Sequence, residues 1–230
     1  MNVKRVMREL QKEILRTVIV AGVSSGAGKT SVAEAVTGAL AKKRRTAAAK
    51  ITVTHGERGC PHGGKGCNVC SSLGGDFQLI TRDSIIQQHG TDTARLSAAG
   101  ANPVVWAITR DIKIKEAWQE MTGLLASADC AVIESNTLTE HIRPALTLMI
   151  ADPTVSRRLW KPSAERLLAT ADFLIFNDRG TSEQKAKLLT EIEQARKSVT
   201  DIIYVSHPKE VASHPALLAS LTNICANPDK

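Results

Sequence analysis

A glycine-rich loop between a predicted strand and a predicted helix most constrains the fold of this 230-residue chain. Residues 17–22 (Thr-Val-Ile-Val-Ala-Gly) form a β-branched apolar run, which predicts a buried strand. The loop Val23-Ser-Ser-Gly-Ala-Gly-Lys-Thr30 follows at once, and residues 29–43 carry apolar side chains at helical spacing. A glycine-rich turn in this position is typical of loops that bind phosphate through backbone N–H groups.

Each residue type in the loop suits a particular contact with a nucleoside triphosphate. Glycines let backbone N–H groups converge on phosphate oxygens, a lysine can reach the β- and γ-phosphates, and a threonine hydroxyl can bind Mg²⁺. The glycine that usually opens such a loop is replaced by Val23, and Gly22 lies one residue too early. Lys29 is also predicted to be catalytic. The predicted nucleotide-binding residues of the loop are Ser25, Gly26, Ala27, Gly28, Lys29, Thr30 and Ser31.

Short apolar runs that alternate with helical stretches predict an α/β fold, with a mostly parallel sheet and helices on both faces. Residues 55–75 are rich in glycine and cysteine and lack apolar periodicity, which predicts a long loop inserted after the second strand. We therefore expect a single P-loop NTPase domain over residues 1–230. The further predicted strands are residues 47–53, 104–108, 130–133, 146–150, 173–176 and 202–205, and the clearest helices are residues 113–125, 156–170 and 182–197.

Acidic side chains near the predicted loop are candidates for metal binding and catalysis. The apolar run Cys130-Ala-Val-Ile-Glu134 ends in a carboxylate, which faces the phosphate loop if the strand is parallel. We predict that Thr30, Glu134 and Asp92 hold Mg²⁺ and that the two acids are catalytic. Asp83 is the second choice for the third ligand, and a solvent-facing glutamate is the alternative interpretation of Glu134.

The segment Ser25-Gly-Ala-Gly-Lys-Thr30 behind an Ala-Gly strand end resembles the loops of the SIMIBI branch of P-loop proteins. Dethiobiotin synthetase and cobyrinate diamide synthase belong to this branch. The resemblance is strongest to the molybdopterin-guanine dinucleotide accessory proteins of the MobB family, covers roughly residues 17–151, and implies a homodimer. It supports Glu134 as a metal ligand, and it rests beyond the loop on Lys50, His55, Asp83, Thr91-Asp-Thr93 and Ala98-Ala-Gly-Ala101.

Asn177 ends a late apolar run and is the predicted contact for the purine ring. In this branch an asparagine at that place reads the base, either within Asn-Lys-x-Asp of GTPases or alone in ATP-using ligases. Here Asp178 replaces the lysine, and Gly180 stands where the carboxylate that pairs with guanine would be. A plain β-turn is the alternative for this segment, and the choice between ATP and GTP stays open.

Three of the five cysteines, Cys60, Cys67 and Cys70, cluster in the glycine-rich loop with the spacing C-x6-C-x2-C. They can converge on one Zn²⁺ with His62 as fourth ligand and His55 in reserve, or hold an iron–sulfur cluster. The tripeptide Cys60-Pro-His62 also resembles the nickel-binding Cys-Pro-His of the urease accessory GTPase. Unliganded thiols in a loop are the alternative.

Composition and charge argue against several other classes of protein. No apolar run reaches the roughly 18 residues of a membrane helix, and the N-terminus lacks the apolar region of a secretory signal, so we expect a cytoplasmic protein. The net charge of +7 is spread along the chain, and three Trp, three Phe and one Tyr offer little surface for base stacking. We therefore expect neither a membrane nor a nucleic-acid partner.

These features predict Mg²⁺-dependent binding and hydrolysis of ATP or GTP. The resemblance implies an accessory role in metal or molybdenum-type cofactor assembly, with a client metalloenzyme or cofactor-biosynthesis protein as partner. An ATP-dependent synthetase of the dethiobiotin synthetase type and a nucleotide-switched binding module are the alternative functions.

Replacing Cys60, Cys67 and Cys70 together by serine is expected to remove a bound metal, because the three thiolates supply most of its ligands. Metal analysis of anaerobically purified, tag-free protein measures this loss. Substitution of Cys130 and Cys225 is the matched control and leaves the metal in place. A wild-type protein with no metal as isolated, and no uptake of Zn²⁺, Ni²⁺ or iron with sulfide, would contradict the site.

Overall fold

The computed structural model describes residues 16–54, 73–195 and 202–224. The strands are β1 (Thr17–Gly22), β2 (Thr46–Thr54), β3 (Phe77–Ile80), β4 (Val104–Arg110), β5 (Cys130–Glu134), β6 (Leu146–Ala151), β7 (Phe173–Asn177) and β8 (Ile202–Val205). The helices are α1 (Lys29–Ala41), α2 (Asp83–Ile86), α3 (Asp92–Ala98), α4 (Ile114–Leu125), α5 (Ala164–Thr170), α6 (Ser182–Ala195) and α7 (Pro215–Ile224). Short 3₁₀ turns lie at Asp111–Lys113, Thr137–Glu140, Arg157–Leu159 and Pro208–Ser213.

The strands form one eight-stranded sheet in the order β3-β4-β2-β5-β1-β6-β7-β8. Neighbouring strands run parallel, except that β3 runs antiparallel to β4 at the edge. β1 lies between β5 and β6, so the loop that follows β1 emerges beside the carboxyl ends of both neighbours. Crossovers between parallel strands place ligand sites at that edge of a sheet.

Helices cover both faces of the sheet, as predicted. Along β1, Ile19 packs in one layer with Trp118 of α4, whereas Val18 and Val20 pack in the other layer with Val36 of α1. The central strands β1, β5, β6 and β7 are buried along their whole length, which is why they read as continuous apolar runs. The prediction of an α/β fold with a mostly parallel sheet is confirmed.

Two elements differ from the sequence-based expectation. β3 was not predicted, because it has only four residues and its side chains are half-buried or exposed at the sheet edge. The predicted helix over 156–170 is a 3₁₀ turn followed by α5, with Lys161 and Pro162 between them. Proline disfavours a helical backbone at the residue before it, so the chain breaks there.

The cysteine cluster of residues 60–70, with His55 and His62, lies outside the described residues, and so does Cys225. Cys130 is buried at the start of β5, in line with its expected place in the core. None of the described helices is long and apolar enough to span a membrane.

Candidate nucleotide-binding site

Residues 23–28 connect β1 to α1 in a loop that leaves the start of the helix open. Gly26 and Gly28 have φ angles of 78° and 100°, a left-handed backbone conformation that residues other than glycine rarely adopt. Gly28 precedes the first residue of α1, no side chain caps this helix end, and its first turn holds no acidic residue. The first N–H groups of α1 therefore keep their positive partial charge, which suits a bound phosphate.

Lys29 lies buried against the loop that precedes it. Its Nζ donates to the carbonyl oxygen of Ser24 at 2.7 Å, and only 9% of the residue is exposed. A Cβ at Gly22 would stand 2.9 Å from Lys29 Cγ, so glycine at that position makes room for the lysine stem. Burial, and after it the charge of Lys161, lower the pKa of Lys29 to about 8, while Glu134 opposes the change.

Thr30 and Glu134 meet at the start of α1. The Thr30 hydroxyl donates to Oε2 of Glu134 at 2.8 Å, and Glu134 is 6% exposed. Glu134 reaches this place because it ends β5, where it pairs in register with Val20 of β1. A hydroxyl and a carboxylate oxygen at this separation fit the oxygen-donor set that Mg²⁺ prefers.

Asp92 joins the same group through a lysine. Lys50 of β2 lies beside Glu134 in the sheet register, and its ammonium forms an ion pair with the Asp92 carboxylate and lies 4.0 Å from Glu134 Oε1. Asp92 is the first residue of α3, which Thr91 caps by accepting from the Ala94 N–H at 3.2 Å. Asp83, the reserve candidate, is exposed at the start of α2.

The Ser31 hydroxyl belongs to a network of charged side chains beside the loop, and its nucleotide contact stays a prediction. Its hydroxyl accepts from Arg95 at 2.8 Å, and Arg95 also donates to Glu34 at 2.6 Å. Lys209 lies 2.9 Å from the other carboxylate oxygen of Glu34. Burial alone would raise the pKa of Glu34, but hydrogen bonds from Lys209 and Arg95 lower it.

Asn136 holds the end of β1 and was not singled out by sequence reasoning. Its side-chain amide donates to the Gly22 carbonyl at 2.9 Å and accepts from the Gly22 N–H at 3.2 Å. The same amide donates to the Ser163 hydroxyl at 3.2 Å, just before α5. This residue thus links β1 to the segments after β5 and before α5, and no local sequence pattern would reveal that link.

The structure ties Asn177 to the end of β6. Its amide donates to Oδ2 of Asp152 at 3.2 Å, and the residue has no exposed surface. Asp152 in turn accepts from the Thr154 N–H at 2.9 Å and from the Thr154 hydroxyl at 2.6 Å. The side-chain oxygen of Asn177 has no partner among the described residues. The base contact at Asn177 stays a prediction.

Lys161 is a further cation at this site that the sequence did not indicate. Its main-chain N–H donates to the Val23 carbonyl at 2.8 Å, which brings the residue against the start of the phosphate loop. Burial lowers its pKa, Glu134 opposes that change and Lys50 adds to it. Lys50 thus lies beside Glu134, and the charge of Glu134 acts on both Lys29 and Lys161, a charge pattern suited to a polyanion.

Strand, loop, helix and facing carboxylate together form a fold of the P-loop NTPase type. Among residues 16–54, 73–195 and 202–224, no three His, Cys, Asp or Glu side chains are grouped as a site for a metal held by protein ligands alone. A Mg²⁺ ion held by Thr30 and Glu134 would not need such a cluster, because Mg²⁺ usually keeps waters and substrate oxygens among its ligands.

No protein-family model matches the chain, and no curated protein matches it significantly. Among solved structures, HypB from Helicobacter pylori in complex with nickel aligns over 99% of this chain and 96% of its own, at 13% identity and a TM-score of 0.45. A ParA family ATPase from Chlorobium tepidum aligns over 94% of each chain at 13% identity and a TM-score of 0.41. A GTPase from Pyrococcus abyssi in its apo form aligns over 91% of this chain and 98% of its own, at 14% identity and a TM-score of 0.42.

Replacing Asn136 by alanine is expected to lower the free energy of unfolding by about 1–3 kcal/mol, because buried polar groups of Gly22 lose their partner. Urea unfolding followed by circular dichroism measures the change. Asn223→Ala is the matched control, since Asn223 is exposed in α7, and its effect should stay within about 0.5 kcal/mol. Equal stability of the two variants would contradict the structural role of Asn136.

Proposed function

We propose that this protein binds and hydrolyses a nucleoside triphosphate with the help of Mg²⁺. The observation that carries the proposal is the contact of Thr30 with Glu134 at 2.8 Å, directly beside a buried Lys29 and an uncapped helix start. These groups supply the donors that a triphosphate needs, namely backbone N–H groups, an ammonium and two oxygen ligands for a cation. The proposal covers both ATP and GTP, because Asn177 alone does not distinguish adenine from guanine.

In the proposed reaction a water attacks the γ-phosphorus in line with the bond to the leaving diphosphate. The new P–O bond forms as the bond to the β–γ bridging oxygen breaks, and the water proton passes to a phosphate oxygen or a site carboxylate. The backbone N–H groups of residues 26–30 bind the phosphate oxygens, and Lys29 leaves the Ser24 carbonyl to donate to the β- and γ-phosphates. Bound Mg²⁺ would be held by Thr30 and Glu134 and would neutralise phosphate charge.

Asp92 is proposed as the second acid of the site. Its carboxylate is 32% exposed and is held by Lys50, which also lies near Glu134. A carboxylate in that position can accept a hydrogen bond from the attacking water and so orient it. If the Lys50 ammonium moved from Asp92 to a phosphate oxygen, the Asp92 carboxylate would be free to accept this hydrogen bond.

We further propose that the hydrolysis serves the assembly of a metal or molybdenum-type cofactor, within a single domain that acts as a homodimer in the cytoplasm. The support is the combination of the phosphate loop with the cysteine cluster of residues 60–70 in one chain. A synthetase would instead transfer the γ-phosphoryl group to a substrate carboxylate or carbamate. Phosphate release measured with and without small carboxylates separates the two functions, because only the synthetase requires the acceptor.

Lys29→Ala is expected to reduce triphosphate affinity and hydrolysis by at least about tenfold, because a charge-assisted contact to phosphate is lost. Glu134→Gln is expected to reduce Mg²⁺-dependent hydrolysis more than nucleotide binding measured in EDTA, because the substitution weakens only the binding of the Mg²⁺ ion. Fluorescent-nucleotide titration and phosphate release measure these effects with ATP and with GTP. Lys115→Ala is the charge-matched control, since Lys115 is exposed in α4. A folded Lys29→Ala protein with unchanged affinity and unchanged hydrolysis would contradict the proposal.

Triphosphate affinity is expected to fall as the pH rises through about 8, because the free protein then loses the proton of Lys29. Phosphate favours the charged ammonium, so binding above that pH must take up a proton, and the affinity can drop up to about tenfold per pH unit. Titrations of a non-hydrolysable analogue between about pH 7.5 and 9.5 measure the slope. Lys29→Arg keeps its charge over this range and should show a shallower slope. An affinity that does not change with pH would contradict the role of Lys29.

A further inference from the structure

Lys161 is held against the phosphate loop by its backbone. Its N–H donates to the Val23 carbonyl at 2.8 Å, and Val23 is itself fixed to β6, because its own N–H donates to the Ile150 carbonyl at 3.0 Å. Two residues further on, the Ser163 hydroxyl accepts from Asn136, which also binds Gly22. The Lys161 backbone thus has a fixed position relative to the first residue of the loop.

The ammonium of Lys161 has no hydrogen bond or ion pair with the part of the chain that the structure describes. The residue is partly buried, whereas the exposed Lys209 pairs with Glu34. Its charge acts on Lys29, where it opposes protonation. Two ammonium groups that oppose each other and are partly buried destabilise the ligand-free protein, unless an anion binds between them.

Lys161 lies at the end of the site that holds Lys29 and Glu134. Its N–H binds Val23, next to the Gly22 on which the Lys29 stem packs, and Ser163 binds Asn136, two residues after Glu134. In line with this position, the charge of Glu134 opposes the lowering of the Lys161 pKa, and the charge of Lys161 lowers the pKa of Lys29. Lys29 and Glu134 are the groups assigned to the β- and γ-phosphates and their cation. An anion that satisfies Lys161 would therefore be the terminal part of the phosphate chain.

We propose that Lys161 binds the γ-phosphate of the nucleoside triphosphate and makes the site prefer triphosphates over diphosphates. This inference rests on the proposed function and adds a residue to it from the segment between β6 and α5. Lys29 remains the contact that triphosphates and diphosphates share. Pro162 contributes by keeping Lys161 out of α5, which begins at Ala164. The Lys161 N–H can therefore bind the Val23 carbonyl.

Lys161→Met tests the proposal, because methionine keeps the length of the side chain and removes its charge. The affinity for a non-hydrolysable triphosphate analogue is expected to fall at least about tenfold, and the affinity for the diphosphate to change less than about twofold. Lys161→Arg should restore part of the preference. Arg158→Met removes the same charge from an exposed residue of the neighbouring turn and should leave both affinities unchanged.

The outcomes separate this inference from the proposed function. If the wild type binds the analogue but Lys161→Met keeps the same ratio of the two affinities, Lys161 does not read the γ-phosphate and the proposed function stands. An equal loss for both nucleotides would also overturn the γ-phosphate contact. If the wild type binds neither nucleotide, both proposals fail.

Thermal unfolding without nucleotide gives an independent measurement. Lys161→Met is expected to melt at the same temperature as the wild type or higher, because it removes the charge that opposes Lys29. A purely structural lysine would show the reverse, a lower melting temperature with an unchanged affinity ratio, and that result would overturn the proposal.

Discussion

The carboxyl end of β1 is the point on which the whole site depends. β1 is held in the middle of the sheet by β5 and β6, and its last residue is fixed from the side by two hydrogen bonds with Asn136. The fixed end of β1 therefore sets where the following loop begins, and the loop leads directly into α1. Because Glu134 ends the neighbouring strand β5, the same pairing that anchors the loop also delivers the carboxylate to Thr30.

Close packing around this point explains why small residues occupy it. Gly22 leaves room for the Lys29 stem, and Gly28 approaches the Pro208 ring, to which a Cβ would stand at 3.1 Å. Pro208 belongs to the 3₁₀ turn before α7, so the far end of the chain also packs on the loop. Both ends of the loop are therefore packed against neighbouring residues, which favours backbone N–H groups that already stand in place for a ligand.

The charge distribution gives the site its chemical character and also costs stability. Lys50 lies beside Asp92 and Glu134, the charge of Glu134 also acts on Lys29 and Lys161, and burial disfavours the charged forms of Lys29 and Lys161. A fold selected for stability alone would not place like charges together in this way. The polyanionic ligand of the proposed function would resolve this conflict, since it would add countercharge beside Lys29 and Lys161.

Local pattern alone predicted the parts of the site that are contiguous in the sequence. The strand, the loop and α1 follow from a β-branched run, glycines with the required backbone freedom and helical spacing, all within residues 17–41. Glu134 could be predicted as well, because a buried parallel strand that ends in an acid has its end at the ligand edge of the sheet. The short edge strand β3 could not, because four half-exposed residues bury too little to leave a pattern.

The sequence by itself determined the fold class, the glycine-rich loop after β1 and the carboxylate that ends β5. Only the tertiary structure decided that Asn136 holds Gly22, that Asp92 pairs with Lys50 and that Lys161 lies on Val23. The physical reason is that these contacts join residues far apart in the chain. Strand order and the path of the connections bring such residues together, and neither periodicity nor spacing in the sequence carries that information.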